Sequence, residues 1–61
     1  MTPTDLTNWR NTLGISRAEA CRRLGISPNY WTKLQEGRAP IPRYIALACA
    51  ALVRSIAPWP E

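Results

Sequence analysis

Apolar residues recur every three or four positions along most of this chain, a spacing typical of amphipathic α-helices. Leu6, Trp9 and Leu13 form such a stripe near the start, and residues 44–53 are apolar nearly all round. No segment alternates apolar and polar residues as a half-buried strand would. The pattern therefore predicts an all-α fold, and its interruptions divide it into four helices.

The first two helices are delimited by residues that favour helix ends. Thr2 followed by Pro3 is typical of a helix start, and Gly14 is a typical residue just past a helix end. Ser16 and Glu19 have the spacing of a capping box. We therefore expect the second helix to begin almost directly after the first one ends.

The third and fourth helices are delimited by a serine and by prolines. Ser27 is an N-cap residue before the third helix, and Pro42 opens a fourth helix that we expect to run to about Ser55. The prolines in residues 57–61 cannot continue that helix. We therefore expect one compact four-helix domain over residues 1–56 and a short C-terminal tail over residues 57–61.

The inward stripe of each helix predicts the core. Trp9 and Trp31 fall on these stripes, so we interpret them as core residues and not as platforms for base stacking. Cys21 and Cys49 lie in apolar helical contexts, which favours small buried hydrophobes over a disulfide. The other predicted core positions are Leu6, Leu13, Ala20, Leu24, Leu34, Ile45, Ala48, Leu52 and Ile56.

The connection between the second and third helices is only three residues long, Gly25-Ile26-Ser27. Such a short connection makes two helices cross steeply, with Gly25 turning the chain and Ile26 filling the corner. This arrangement is the helix-turn-helix unit. In that unit the outer face of the second helix can enter the major groove of DNA.

The charge balance is basic. Seven arginines and one lysine against four acids give a net charge of +4. This excess favours a polyanionic partner such as a nucleic acid or an anionic membrane surface. Charge alone fits a merely basic surface equally well, so the partner has to be argued from a motif.

The motif resembles that of a known family. The segment Ser16-Arg17-Ala18-Glu19-Ala20-Cys21-Arg22-Arg23-Leu24-Gly25-Ile26-Ser27, followed by Trp31, Leu34 and Gly37, is similar to the Cro/lambda-repressor-like (XRE-type) helix-turn-helix family. The resemblance covers about residues 4–56. It implies sequence-specific operator binding, usually by dimers, in phage or bacterial regulators. In its short length the chain also resembles the repressors associated with anti-CRISPR operons.

The third helix carries the predicted base-reading residues. Its first position is Pro28, which cannot hydrogen-bond a base edge, so readout falls to Asn29, Tyr30 and Lys33. Lysine can donate to guanine O6 and N7, and asparagine can pair with adenine N6 and N7. A tyrosine can contact a phosphate or a thymine methyl group.

Further basic and polar residues flank the third helix. Arg17 starts the second helix, where free N–H groups also favour a phosphate. We interpret Arg10, Arg22 and Arg23 as a solvated helix surface. The predicted contacts to the DNA backbone are Arg17, Ser27, Arg38 and Arg43.

The fourth helix has a second apolar face that the core does not need. Tyr44, Leu47 and Ala51 lie on it, and an apolar patch left in water usually marks an interface. We expect a homodimer that uses this face together with Trp59 of the tail. The alternative is that the tail folds back and covers Tyr44 and Leu47 within one chain.

The sequence contains no histidine and no cluster of acids, so we expect no metal, no cofactor and no small-molecule ligand. The apolar run at residues 44–53 has about half the length of a membrane span. No nucleophile–base pair is visible, which makes an enzyme the least favoured class.

We therefore expect a cytoplasmic protein that binds double-stranded DNA and represses transcription by occlusion. The alternative is a protein–protein module, such as an antirepressor or adaptor, on the same fold.

Overall fold

The computed structural model describes residues 1–56, which form four helices and no strand. The predicted all-α fold of four helices is therefore confirmed. In chain order the helices are α1 (Pro3–Leu13), α2 (Arg17–Leu24), α3 (Pro28–Gln35) and α4 (Arg43–Val53). None of these helices has the length and apolar character needed to cross a membrane. The predicted tail, residues 57–61 with Trp59, lies outside the described residues.

The start of α1 is fixed by a reciprocal pair of hydrogen bonds. The Asp5 N–H donates to Thr2 Oγ1 over 3.1 Å, and the Thr2 N–H donates to Asp5 Oδ2 over 2.9 Å. These bonds also lower the pKa of the Asp5 carboxyl, because they favour its charged form. The helix ends at Leu13 and is capped by Gly14, whose φ of 65° is a left-handed conformation that glycine adopts without strain.

The start of α2 forms only half of the predicted capping box. The Ser16 hydroxyl accepts from the Glu19 N–H over 3.1 Å, as expected. The Glu19 carboxylate instead pairs with Arg22 and Arg23, one turn further along the same helix. Two arginines at these spacings therefore compete with the backbone for this carboxylate.

The end of α4 comes at Val53, earlier than predicted. Ser55 has a φ of 56°, and the Ile56 N–H donates back to the Ala51 carbonyl over 2.9 Å. This reversal carries Ile56 away from the core, so that 56% of it is exposed. The prediction of Ile56 as a core residue is therefore wrong, since it assumed that the helical register continued.

The core is formed by all four helices, with α1 and α2 each packing against both α3 and α4. The indole of Trp9 lies 6.5 Å from that of Trp31, and Trp9 Nε1 donates to the Cys49 carbonyl over 3.0 Å. Burial raises the pKa of the Cys49 thiol to about 11. Both cysteines are free, as predicted. The buried residues are Leu6, Trp9, Ala20, Cys21, Trp31, Leu34, Ile45 and Cys49.

Candidate nucleic-acid interface

The turn between α2 and α3 has the predicted geometry. Gly25 adopts a φ of 71°, and the Ile26 N–H donates to the Cys21 carbonyl over 3.0 Å. Ile26 is half-buried against the core. The Ser27 hydroxyl then accepts from the Tyr30 N–H over 3.1 Å and caps α3. The turn thus leads directly from the end of α2 into the first turn of α3.

The two faces of α3 differ in exposure. Trp31 and Leu34 are buried, whereas Asn29 and Lys33 are exposed and stand one turn apart on the outer face. Side chains four residues apart on a helix are neighbours. The structure therefore presents an amide and an ammonium group together, on the side of α3 that faces away from the core.

Tyr30 has different surroundings from the other two predicted base-reading residues. It is half-buried and packs against the edge of the core. The pKa of its hydroxyl is raised, chiefly through interaction with the Tyr44 hydroxyl and also by desolvation. Tyr30 therefore lies at the border of α3 that adjoins the beginning of α4.

The predicted backbone contacts surround α3 and are all exposed. Arg17 is the first residue of α2, and Arg43 is the first residue of α4. Arg38 pairs with Glu36, with 2.8 Å between Arg38 Nε and Glu36 Oε1. Both side chains of this pair are more than half exposed, so the pair contributes little stability and a phosphate can compete for the arginine.

The three acids of residues 1–56 are all engaged by other groups, so they do not neutralise the positive charge around α3. Asp5 is engaged at the start of α1, while Glu19 and Glu36 pair with arginines. Arg17, Lys33 and Arg43 form no ion pair with any acid of the described residues. Their charge is therefore available to an anionic partner.

An open cleft of about 410 Å³ lies beside α3, and it changes the interpretation of Arg10. Arg10 is half-buried, and its Nη1 donates to the Ile15 carbonyl over 3.1 Å. It is therefore not the solvated surface residue that the sequence predicted. The cleft is lined by Arg10, Arg17, Trp31, Thr32, Gln35 and Glu36.

The outer face of α4 is apolar, as predicted, and larger than predicted. Tyr44 is 62% exposed and Leu47 is 57% exposed, while Ala51 is half-buried. Ala50 and Val53 extend the exposed apolar surface toward the end of the helix. The predicted face omits these two residues, because it follows the edge of the core stripe too closely.

The comparisons with known proteins give one family. A family model described as a helix-turn-helix domain matches residues 5–55. The matched segment takes in α2, the turn and α3 together with α4. Neither the comparison with curated proteins nor that with solved structures gives a match.

Proposed function

Because the chain belongs to the helix-turn-helix domain family, we propose that it is a sequence-specific transcriptional repressor that binds its operator as a homodimer. The observation that carries this proposal is the exposed outer face of α3. Asn29 and Lys33 stand there one turn apart, opposite the buried Trp31 and Leu34. In a helix-turn-helix unit this is the face that enters the major groove.

The chemistry of this face fits the edges of bases. Lys33 donates to guanine O6 and N7, and Asn29 forms a bidentate pair with adenine N6 and N7. Tyr30, at the border with α4, contacts a phosphate through its hydroxyl or a thymine methyl group through its ring. Three side chains read only a few base pairs, and this is one reason for proposing a second copy on an inverted repeat.

The surrounding residues hold the DNA backbone in this proposal. Arg17 reaches a phosphate from the start of α2, and Arg38 and Arg43 reach others from the segment that joins α3 to α4 and from the start of α4. The Ser27 hydroxyl accepts from the Tyr30 N–H and keeps its own proton for a phosphate oxygen. Neutralising phosphates releases counterions, so binding should weaken as salt rises.

Replacing Arg43 by Ala is expected to weaken binding to all sequences alike and to flatten the salt dependence. Each phosphate contact contributes about −0.9 to the slope of log affinity against log salt concentration, so the slope should change by about one. Fluorescence anisotropy over a salt series measures it. Arg54→Ala, which removes the same charge just past the far end of α4, should leave the slope close to that of the parent. If the salt-dependence slope of Arg43→Ala equals that of the parent, Arg43 does not contact the DNA backbone.

Base readout is tested by replacing Lys33 or Asn29 with Ala after the preferred site has been selected from a random DNA pool. Each change is expected to cost about 1–3 kcal/mol on that site and to relax preference at one base position. Both residues are exposed, so folding should be unaffected. Arg54→Ala again controls for the loss of one charge. Equal losses on every sequence would mean that α3 does not read bases through these residues.

Homodimerisation supplies the second reading helix. Two copies related by a two-fold axis read half-sites about 34 Å apart, which is one turn of DNA. The apolar face of α4 with Tyr44 and Leu47 is the surface we assign to this contact.

We also propose that the protein acts in the cytoplasm and represses by occluding a promoter. That the protein comes from a phage stays a prediction, which rests only on the resemblance to the Cro/lambda-repressor-like family.

A protein–protein module is the second candidate, and the same exposed apolar face favours it. Tyr44 and Leu47 would then hold a different protein, as in an antirepressor or adaptor. Selection from a random pool separates the two functions, because a module of this kind enriches no sequence. An enriched sequence that depends on Lys33 favours the repressor.

A further inference from the structure

The last residue of α3 is hydrogen-bonded to α1 at two points. Gln35 Oε1 accepts from Thr7 Oγ1 over 2.8 Å, and Gln35 Nε2 donates to the Pro3 carbonyl over 3.0 Å. Thr7 Oγ1 also lies 3.2 Å from the Pro3 carbonyl. We call this group of three residues the α1–α3 clasp. It joins positions 28 and 32 residues apart in the chain.

The two ends of α3 are held in different ways. At its start, the turn and the Ser27 cap fix the backbone. Toward its end, Trp31 and Leu34 hold the helix through apolar packing, which is not directional. Hydrogen bonds are directional, and those of Gln35 are partly shielded because the residue is half-buried. The clasp is therefore the directional restraint on the later turn of α3, the turn that also carries Lys33.

We propose that Thr7 and Gln35 are positioning residues that set the orientation of α3 on DNA, and with it the selectivity of Lys33. This inference rests on the proposed DNA-binding function. A recognition group has to be held within about 0.5 Å and 10–20° of its productive geometry. The arginines proposed to contact phosphates lie outside α3 and have long side chains, so a small rotation of α3 affects them less. Loss of the clasp therefore lowers discrimination between sequences more than it lowers general affinity for DNA.

The test uses variants that remove the clasp without adding charge. Gln35→Met keeps a side chain of similar length, and Thr7→Val keeps the shape but not the hydroxyl. Thr7→Ser keeps the hydroxyl that Thr7→Val removes. Thr12→Val is the matched control, because the Thr12 hydroxyl makes a similar bond, 2.8 Å to the Asn8 carbonyl, but has no partner on α3.

The measurement is the ratio of Kd for a scrambled duplex to Kd for the selected site, at a temperature where circular dichroism shows every variant folded. We expect this ratio to fall about tenfold in Gln35→Met and Thr7→Val, comparable to losing one base contact. Thr7→Ser and Thr12→Val should keep the parent's ratio. Gln35→Met combined with Thr7→Val should lose no more than either alone, because both remove the same restraint.

Two results would overturn the inference, and they can be distinguished. If the clasp variants melt at a lower temperature but keep the parent's ratio, the clasp only stabilises the fold and the proposed function stands. If the parent itself shows no selectivity, sequence-specific binding fails and the inference fails with it.

Discussion

A Leu47→Glu variant is expected to sediment as a monomer at micromolar concentrations at which the parent sediments as a dimer. Leu47 is 57% exposed in the single chain and lies in the apolar face of α4. Burying the exposed part of one such leucine contributes about 0.9–1.7 kcal/mol, and a symmetric dimer buries it twice, so the dimer dissociation constant should rise about 20- to 300-fold. Two carboxylates brought into the proposed interface add repulsion and a desolvation cost to this loss.

The same variant should bind its operator far more weakly than the parent. A monomer reads one half-site, so it loses the contribution of the second recognition helix. Asn8→Glu is the matched control, since it adds the same charge on the exposed outer face of α1. This control should keep both the dimer and the affinity. A monomeric parent, together with Leu47→Glu binding DNA as tightly as the parent does, would contradict the dimer.

A second variant separates the dimer from the alternative in which the tail covers α4. Removing residues 57–61 should weaken the dimer, because the proposed interface then loses Trp59, if the partner's α4 and tail cover Leu47. If the tail covers Tyr44 and Leu47 within one chain, the same truncation exposes both, and self-association should increase. The direction of the change in sedimentation therefore identifies what packs on this face.

The two proposed surfaces meet at a pair of tyrosines, and this has a consequence for regulation of binding. Tyr30 is a proposed base contact on α3, and Tyr44 belongs to the proposed dimer face on α4. The Tyr44 hydroxyl is the main cause of the raised pKa of Tyr30, and desolvation adds to it. In the proposed dimer, burying Tyr44 would change the surroundings of Tyr30, so dimerisation and readout would be coupled through this pair.

Local chemistry explains why the four helices could be predicted from the sequence. Thr2, Ser16 and Ser27 each accept from a backbone N–H three residues later, and glycine occupies the left-handed position after α1 and α2. These interactions depend only on close neighbours in sequence. Ile56 was misplaced because the reversal at Ser55 requires a positive φ at a residue other than glycine, which composition does not indicate.

The candidate site was less predictable, because part of it depends on contacts between distant residues. Asn29 and Lys33 could be placed on an exposed face from helical spacing alone. The bonds of Gln35 to Thr7 and Pro3 could not, since Gln35 is polar and has no recognisable partner at a helical spacing. Arg10 was misinterpreted for a related reason, because its guanidinium reaches past Gly14 to the Ile15 carbonyl.

Trp31→Ala is expected to have the largest effect on the stability of the fold. Trp31 is only 2% exposed and belongs to the same helix as the proposed reading residues. Truncating a buried tryptophan costs about 3–5 kcal/mol, and the loss of its tilted contact with the Trp9 ring adds to this. A single hydrophobic core in a domain of fewer than about 70–80 residues rarely supplies more than about 3–5 kcal/mol of stability. The variant should therefore be largely unfolded at room temperature, as measured by circular dichroism and urea titration.

Comparing Trp31→Ala with Lys33→Ala separates folding from recognition on a single helix. Lys33→Ala removes an exposed side chain, so its stability should stay within about 0.5 kcal/mol of the parent. Trimethylamine N-oxide favours compact states, so it should restore both helicity and DNA binding to Trp31→Ala. It should not restore selectivity to Lys33→Ala, which is already folded. If Trp31→Ala regains its helicity but not its DNA binding, the indole has a part in recognition itself, and assigning the two faces of α3 to separate roles would be wrong.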